Sequence, residues 1–177
     1  MMTMMDQIIL KAEKEKQARQ KKWDIYFLME AALISTRSKD PSTKCGAVIV
    51  APNLSIVSKG YNGLPTCYPD SQAQLENRAW KYESIVHCEV NAMIFAARNL
   101  CGHTLYTWPL LSCSRCASQL SQAGIERFVG LKNNIDRWEE NLQLTKENLR
   151  ESHISYTEYD KEIVLEEFKK SIDRLGQ

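Results

Sequence analysis

The rhythm of apolar positions changes several times along the chain, and each change marks a different element. From Trp23 to Ser35 the apolar residues Trp23, Tyr26, Phe27, Ala31 and Ile34 follow the spacing of one helical face. This helix has room to reach back into the charged N-terminus. It is expected to stop before Asp40-Pro41, because a residue preceding proline is pushed out of helical backbone angles. Residues 45–52 (CGAVIVAP) are a short β-branched run closed by Pro52, and residues 54–63 (LSIVSKGYNG) are a second, so the two read as a hairpin. Residues 64–84 lose sustained period around Pro65, Pro69, Asp70, Ser71 and Asn77, which reads as a long loop with one helical turn. Loops of that length inside compact domains are more often functional than idle.

Beyond the loop, helical and β patterns take turns. Residues 88–99 read as a helix, 103–109 as a strand, 113–124 as a helix closed by Gly124, and 125–131 as a strand. A helix from Asp136 to Arg150, a short strand from Ile154 to Tyr156 and a helix from Lys161 to Leu175 complete the chain. Such alternation belongs to a sheet with helices packed on it. We therefore expect an α/β fold, a three-layer α/β/α domain with a mixed sheet of about five strands.

Composition narrows the class. At 177 residues the chain has the size of one domain and can bury a core without staples. One domain over 1–177 is expected, with 1–22 as a charged N-terminal extension and 132–177 as a helical C-terminal part. A charged fraction of 25% and a hydrophobic fraction of 44% argue against wholesale disorder and against a membrane protein. No run approaches the ~20 apolar residues that span a bilayer. The N-terminus places a short apolar start before its charges, the reverse of a signal peptide, so the expected location is the cytoplasm. A net charge of +1 gives no basic balance for nucleic acid. The basic run Lys11 to Lys22 is interleaved with Glu13 and Glu15 and reads as a solvated helical face. Neither nucleic acid nor membrane is an expected partner.

Six cysteines in a reducing compartment are buried small hydrophobes or metal ligands rather than disulfides. Cys113 and Cys116 form a Cys-x-x-Cys at the expected start of a helix, where positions three apart share a face. The helix N-terminus favours negative charge and eases thiol ionisation. Alone, this pair fits a redox couple or half of a structural zinc site. His87 stands at the expected start of another helix, with Glu89 two residues on. If the two helix starts converge, His87, Cys113 and Cys116 supply three zinc ligands and leave the fourth position to water, which is the catalytic pattern. Cys88 is a ligand by type, but it projects about 100° around the helix from His87. Zinc held in this way lowers the pKa of a bound water, and Glu89 beside it is a carboxylate able to take the proton.

H-x-E followed by P-C-x-x-C is the established signature of zinc-dependent nucleobase deaminases. The chain resembles the cytidine/deoxycytidylate deaminase superfamily, and most of all the deoxycytidylate (dCMP) deaminases. The likeness runs through SKDPSTKCGAVIV (38–50), GYNGLP (60–65), HCEVNAM (87–93), TLY (104–106) and CSRCASQLSQAGIERFV (113–129). Two positions depart from the family pattern. Cys88 replaces the usual alanine, and Ser112 stands where proline usually precedes the first zinc cysteine, with Pro109 lying earlier.

The resemblance implies hydrolysis of dCMP to dUMP and ammonia, supplying dUMP for thymidylate synthesis. One catalytic Zn²⁺ per chain is held by His87, Cys113 and Cys116, and Glu89 carries the protons. The backbone N–H of Cys88 is implied to face the cytosine O2 while its side chain fills space. The resemblance puts Asn62 against the sugar, although Asn-Gly is also a strong turn signal. Ser38, Lys39, Ser42, Thr43 and Lys44 are implied to lie near the 5′-phosphate, with Arg115 a weaker candidate; loop solvation is their other reading. His103 and His153 read as structural, and Cys45, Cys67 and Cys101 have no ligand spacing. A homo-oligomer, commonly a hexamer, and regulation by dCTP and dTTP with Mg²⁺ are further implications. Two rival readings remain at this point: the same chemistry on cytidine, CMP, a riboflavin-pathway pyrimidine or tRNA adenosine, and a non-enzymatic zinc module. Glu89 argues against the second, because structural zinc needs no proton carrier.

Overall fold

The computed structural model describes residues 3–69, 71–132 and 135–176; Asp70 of the expected loop lies outside them. Helix α1 (Met4–Ser35) leads into strands β1 (Gly46–Val50) and β2 (Ile56–Tyr61), followed by short helices α2 (Gln72–Glu76) and α3 (Arg78–Ser84). Then come α4 (Cys88–Ala96), β3 (His103–Trp108), α5 (Ser114–Gln122), β4 (Ile125–Leu131), α6 (Asp136–Glu151), β5 (Ser155–Tyr159) and α7 (Lys161–Leu175). The sheet order is β2-β1-β3-β4-β5. β1 is antiparallel to β2 and β3, whereas β3, β4 and β5 are parallel, so the sheet is mixed as expected.

Pleating divides the core in two. Val48, Val50, Tyr106, Val129 and Leu131 face one side and pack with Phe27, Leu28 and Ala31 of α1 and Val164 of α7. Ala47, Ile49, Leu105 and Phe128 face the other side, against Cys88 and Ala92 of α4, Ala117 and Leu120 of α5, and Leu142 and Leu149 of α6. This is the three-layer arrangement. Helix α1 does reach back through the charged extension, starting on a capping box between Thr3 and Asp6, and residues 3–23 are exposed.

The long loop holds more helix than its pattern suggested. Ser71 caps α2 in a capping box with Gln74, and Asn77 accepts from the Trp80 N–H to start α3. Each helix is too short to display a period, so its caps were the available signal. The expected strand at Ile154–Tyr156 begins one residue later and extends to Tyr159. No helix among the described residues is long and apolar enough to cross a membrane.

Gly60 sets how closely α4 can sit. A Cβ there would lie 2.3 Å from the Cys88 carbonyl oxygen and 2.4 Å from the Ala92 nitrogen, both backbone atoms of the helix. Gly60→Ala must therefore push the start of α4 off β2. We expect a loss of about 1–3 kcal/mol, read as a lowered melting temperature, together with weaker zinc retention because His87 opens that helix.

Candidate active site

His87 is the N-cap of α4 and Cys113 the N-cap of α5, each in extended conformation just before its helix. The two helix starts converge. Nδ1 of His87 lies 3.5 Å from the Cys113 Sγ and 3.4 Å from the Cys116 Sγ, and the three donor atoms all lie within 4.8 Å of one another. Tetrahedral zinc with its usual bond lengths separates a nitrogen and a sulfur ligand by about 3.6 Å, so the spacing fits this metal without rearrangement. Helix α6 braces the turn that presents the cysteines. The Asn141 amide accepts from the Ser114 N–H at 3.0 Å and donates to the Ser114 hydroxyl at 3.0 Å, and the Thr145 hydroxyl donates to the Ser112 carbonyl at 3.1 Å.

The close contacts within the trio shift the titration of each member. A hydrogen bond from Cys116, followed by His87 and its charge, brings the Cys113 thiol down to about 4 against the opposing effect of burial. The bond to Cys113 raises His87 to about 9, with the charge of Glu89 adding to it. Cys116 is pushed up, first by its bond to Cys113 and then by burial.

The family model of the cytidine and deoxycytidylate deaminase zinc-binding region matches residues 21–132. The chain belongs to this family. It is 36% identical over 139 residues to an uncharacterized deaminase in the luxG 3′ region of Aliivibrio fischeri, covering 77% of this chain and 92% of that one. It is 34% identical over 141 residues to a probable deoxycytidylate deaminase of Drosophila melanogaster, covering 73% and 69%. The dCMP deaminase of cyanophage S-TIM5, solved in complex with dCMP and dUMP, has the same fold: TM-score 0.60 and 20% identity over 76% of this chain and 94% of that one.

In the deaminase, Glu89 is 6% exposed and lines the same cavity as His87 and Cys113. The Cys88 thiol, also buried, donates to Glu89 Oε2 at 3.1 Å. Burial, then a hydrogen-bonding interaction with Cys45 and the charge of Glu89, push the Cys88 thiol up, so it stays protonated and inert as a nucleophile. Cys88 is absent from the metal-ligand cluster. Cys88→Ala is accordingly expected to keep its zinc and its fold; metal analysis of the purified variant tests this, and loss of zinc would return Cys88 to the ligand set.

The other sequence candidates separate. Asn62 and Cys88 line the cavity, as do Ser42 and Thr43, but Ser38, Lys39 and Lys44 do not. Ser38 is buried and donates its hydroxyl to the Asn62 carbonyl at 2.8 Å. Lys39 is exposed beside a neighbouring surface pocket, and Lys44 is exposed. Asn62-Gly63 makes no tight hairpin turn, since neither residue has the positive φ that such a turn needs and Gly63 pairs instead with Val86. The Asn62 side chain accepts from the Cys45 N–H at 2.7 Å and donates to the Thr43 carbonyl at 2.9 Å, tying the loop after α1 to the end of β2. His103 is buried at the start of β3 with Nδ1 2.9 Å from the Cys101 carbonyl.

Among the cavity residues that sequence reasoning missed are Asp40, Lys81, Trp138 and Arg137. Asp40 had been noticed only as a helix stop. Lys81 sits in the segment read as a loop. Arg137 donates to the Thr43 hydroxyl at 3.0 Å across 94 residues of sequence, a distance that no local pattern encodes.

Proposed function

We propose that the deaminase converts dCMP and water to dUMP and ammonia. The observation that carries the reading is Glu89, buried beside the His87–Cys113–Cys116 trio in a cavity that Ser42, Thr43 and Arg137 also line. When bound, zinc supplies the Lewis acidity that activates a water for attack on C4 of cytosine. Glu89 takes a proton from the attacking water on a carboxylate oxygen and delivers it to ring N3; it then takes the remaining proton from the new C4 hydroxyl and passes it to the amino group, which leaves as ammonia as the C4 carbonyl forms. The Cys88 thiol bond to Oε2 restrains that carboxylate between the two tasks. The Cys88 backbone N–H is placed at the cytosine O2 in this reading, and Asn62 against the sugar. Ser42, Thr43 and Arg137 supply hydroxyl and guanidinium donors suited to a 5′-phosphate. Of the group expected near the phosphate, Ser42 and Thr43 line the cavity, and Arg137 joins them in this reading.

A homo-oligomer belongs to the same proposal. Helix α4 leaves Ile94 and Phe95 58% and 64% exposed, large apolar groups that association would cover. Ammonia release from dCMP, CMP, deoxycytidine and cytidine, with and without dCTP, dTTP and Mg²⁺, tests the assignment. Turnover is expected to be most efficient with dCMP. Turnover of cytidine, or editing of tRNA, with dCMP untouched would overturn the substrate.

A further inference from the structure

Lys81 is a buried cation that the chemistry above does not use. Its Nζ lies 2.9 Å from Asp40 Oδ1 and 3.0 Å from the Ser42 hydroxyl, with the Lys81 and Asp40 side chains 3% and 7% exposed. Lysine is almost never buried unless paired, because removing its ammonium from water is costly. On a helix as short and exposed as α3 it could have faced solvent. Instead it joins the cavity wall.

Its partners explain what that placement does. Asp40 Oδ1 also accepts from the Ser42 N–H at 2.7 Å and the Thr43 N–H at 3.3 Å, so one carboxylate gathers the turn that carries both hydroxyls. Left unpaired, this carboxylate would stand as a buried negative charge in the cavity wall and repel an anion. Lys81 cancels that charge. It also donates to the Ser42 oxygen, as Arg137 donates to the Thr43 oxygen at 3.0 Å. A hydroxyl whose oxygen already accepts from a cation has its own proton left to give. Both hydroxyls are thereby set as donors.

We infer that Lys81 is a positioning residue that makes the deaminase select a 5′-phosphorylated pyrimidine nucleoside over the unphosphorylated one, by neutralising Asp40 and turning Ser42 outward as a donor. The inference rests on the dCMP reading above. Lys81→Met is expected to raise KM for dCMP about tenfold or more, the loss of one charge-assisted contact, with a smaller change in kcat. The ratio of kcat/KM for dCMP to that for deoxycytidine falls by a similar factor. Lys81→Arg, which keeps the cation, recovers most of it.

An equal loss on both substrates, or a loss confined to kcat, would make Lys81 merely structural and overturn the inference. If Lys81→Met does not fold, the double variant Asp40→Asn/Lys81→Met removes both charges and leaves neither buried alone. With Asp40 neutral that variant reads the Ser42 donor alone: a lowered ratio of kcat/KM for dCMP to that for deoxycytidine is expected, and an unchanged ratio overturns the orienting role of Lys81 and the inference with it. These results differ from failure of the underlying reading, which would show already in the unmodified enzyme as no preference for dCMP over deoxycytidine, and which would remove the role of Lys81 with it.

Discussion

Glu89→Ala is expected to lower kcat by at least about 10²- to 10⁴-fold while the protein still carries about one zinc per chain. The two halves of this expectation have separate causes. The proposed metal donors are His87 and the two sulfurs, and Glu89 is not among them, so its removal leaves the cluster whole. Proton movement is different. Asp40 is the other carboxylate lining the cavity, and it is committed to Lys81 and to two backbone N–H groups. Among the described residues lining the cavity, no second carboxylate is left uncommitted. Metal analysis alongside ammonia release decides the matter, and either retained turnover or lost zinc would remove Glu89 from its assigned role.

The second large effect lies away from the site, at Asp24. Its carboxylate is 0% exposed and takes two hydrogen bonds from Arg127 of β4, at 2.7 and 2.6 Å. The hydroxyls of Tyr106 on β3 and Tyr159 on β5 donate to it at 2.9 and 2.8 Å, and Gln20 of α1 at 3.0 Å. One side chain of α1 is thus bonded to three neighbouring strands. Asp24→Ala strands the Arg127 charge beside two phenols that have lost their acceptor, and breaking a buried pair from one side costs about 3–5 kcal/mol. Total stability of a domain is commonly only about 5–15 kcal/mol. The variant should show a greatly lowered denaturation midpoint or fail to accumulate folded; a midpoint close to that of the parent would show the network to be dispensable.

The same group predicts an acid limb. Burial alone would raise the Asp24 carboxyl, but the hydrogen bonds and charge of Arg127, with Gln20 and Tyr159, outweigh it and hold the folded pKa below the ordinary value. A carboxyl depressed in the folded state stabilises fully above its unfolded pKa, about 3.9. That contribution is lost as pH falls from there through the folded value. Asp24→Asn, which cannot ionise, should unfold with a flatter pH dependence in that window.

The chain pattern and the tertiary structure decided different parts of this protein. Alternating helical and β periods were enough for the layered α/β fold, because one face of each element has to be apolar and so records its burial. The two halves of the proposed zinc set were legible for a related reason: Cys113 and Cys116 need only one helical turn between them, and His87 and Glu89 share one helix start; that the halves belong together came from the family resemblance. The caps of α2 and α3 were also written locally, but in helices too short for a period to appear.

What the pattern could not hold is every relation that crosses the fold. Lys81 meets Asp40 across 41 residues, Arg137 meets Thr43 across 94, and Arg127 meets Asp24 across 103. Which polar groups end up buried together depends on how the sheet stacks its helices, and a charged residue looks alike in sequence whether it is solvated or paired. The sequence by itself therefore determined the layered fold and the family, and with the family the proposed metal ligands and proton carrier. Only the tertiary structure decided which cations and hydroxyls line the cavity around them, because desolvation and pairing arise only when distant segments meet.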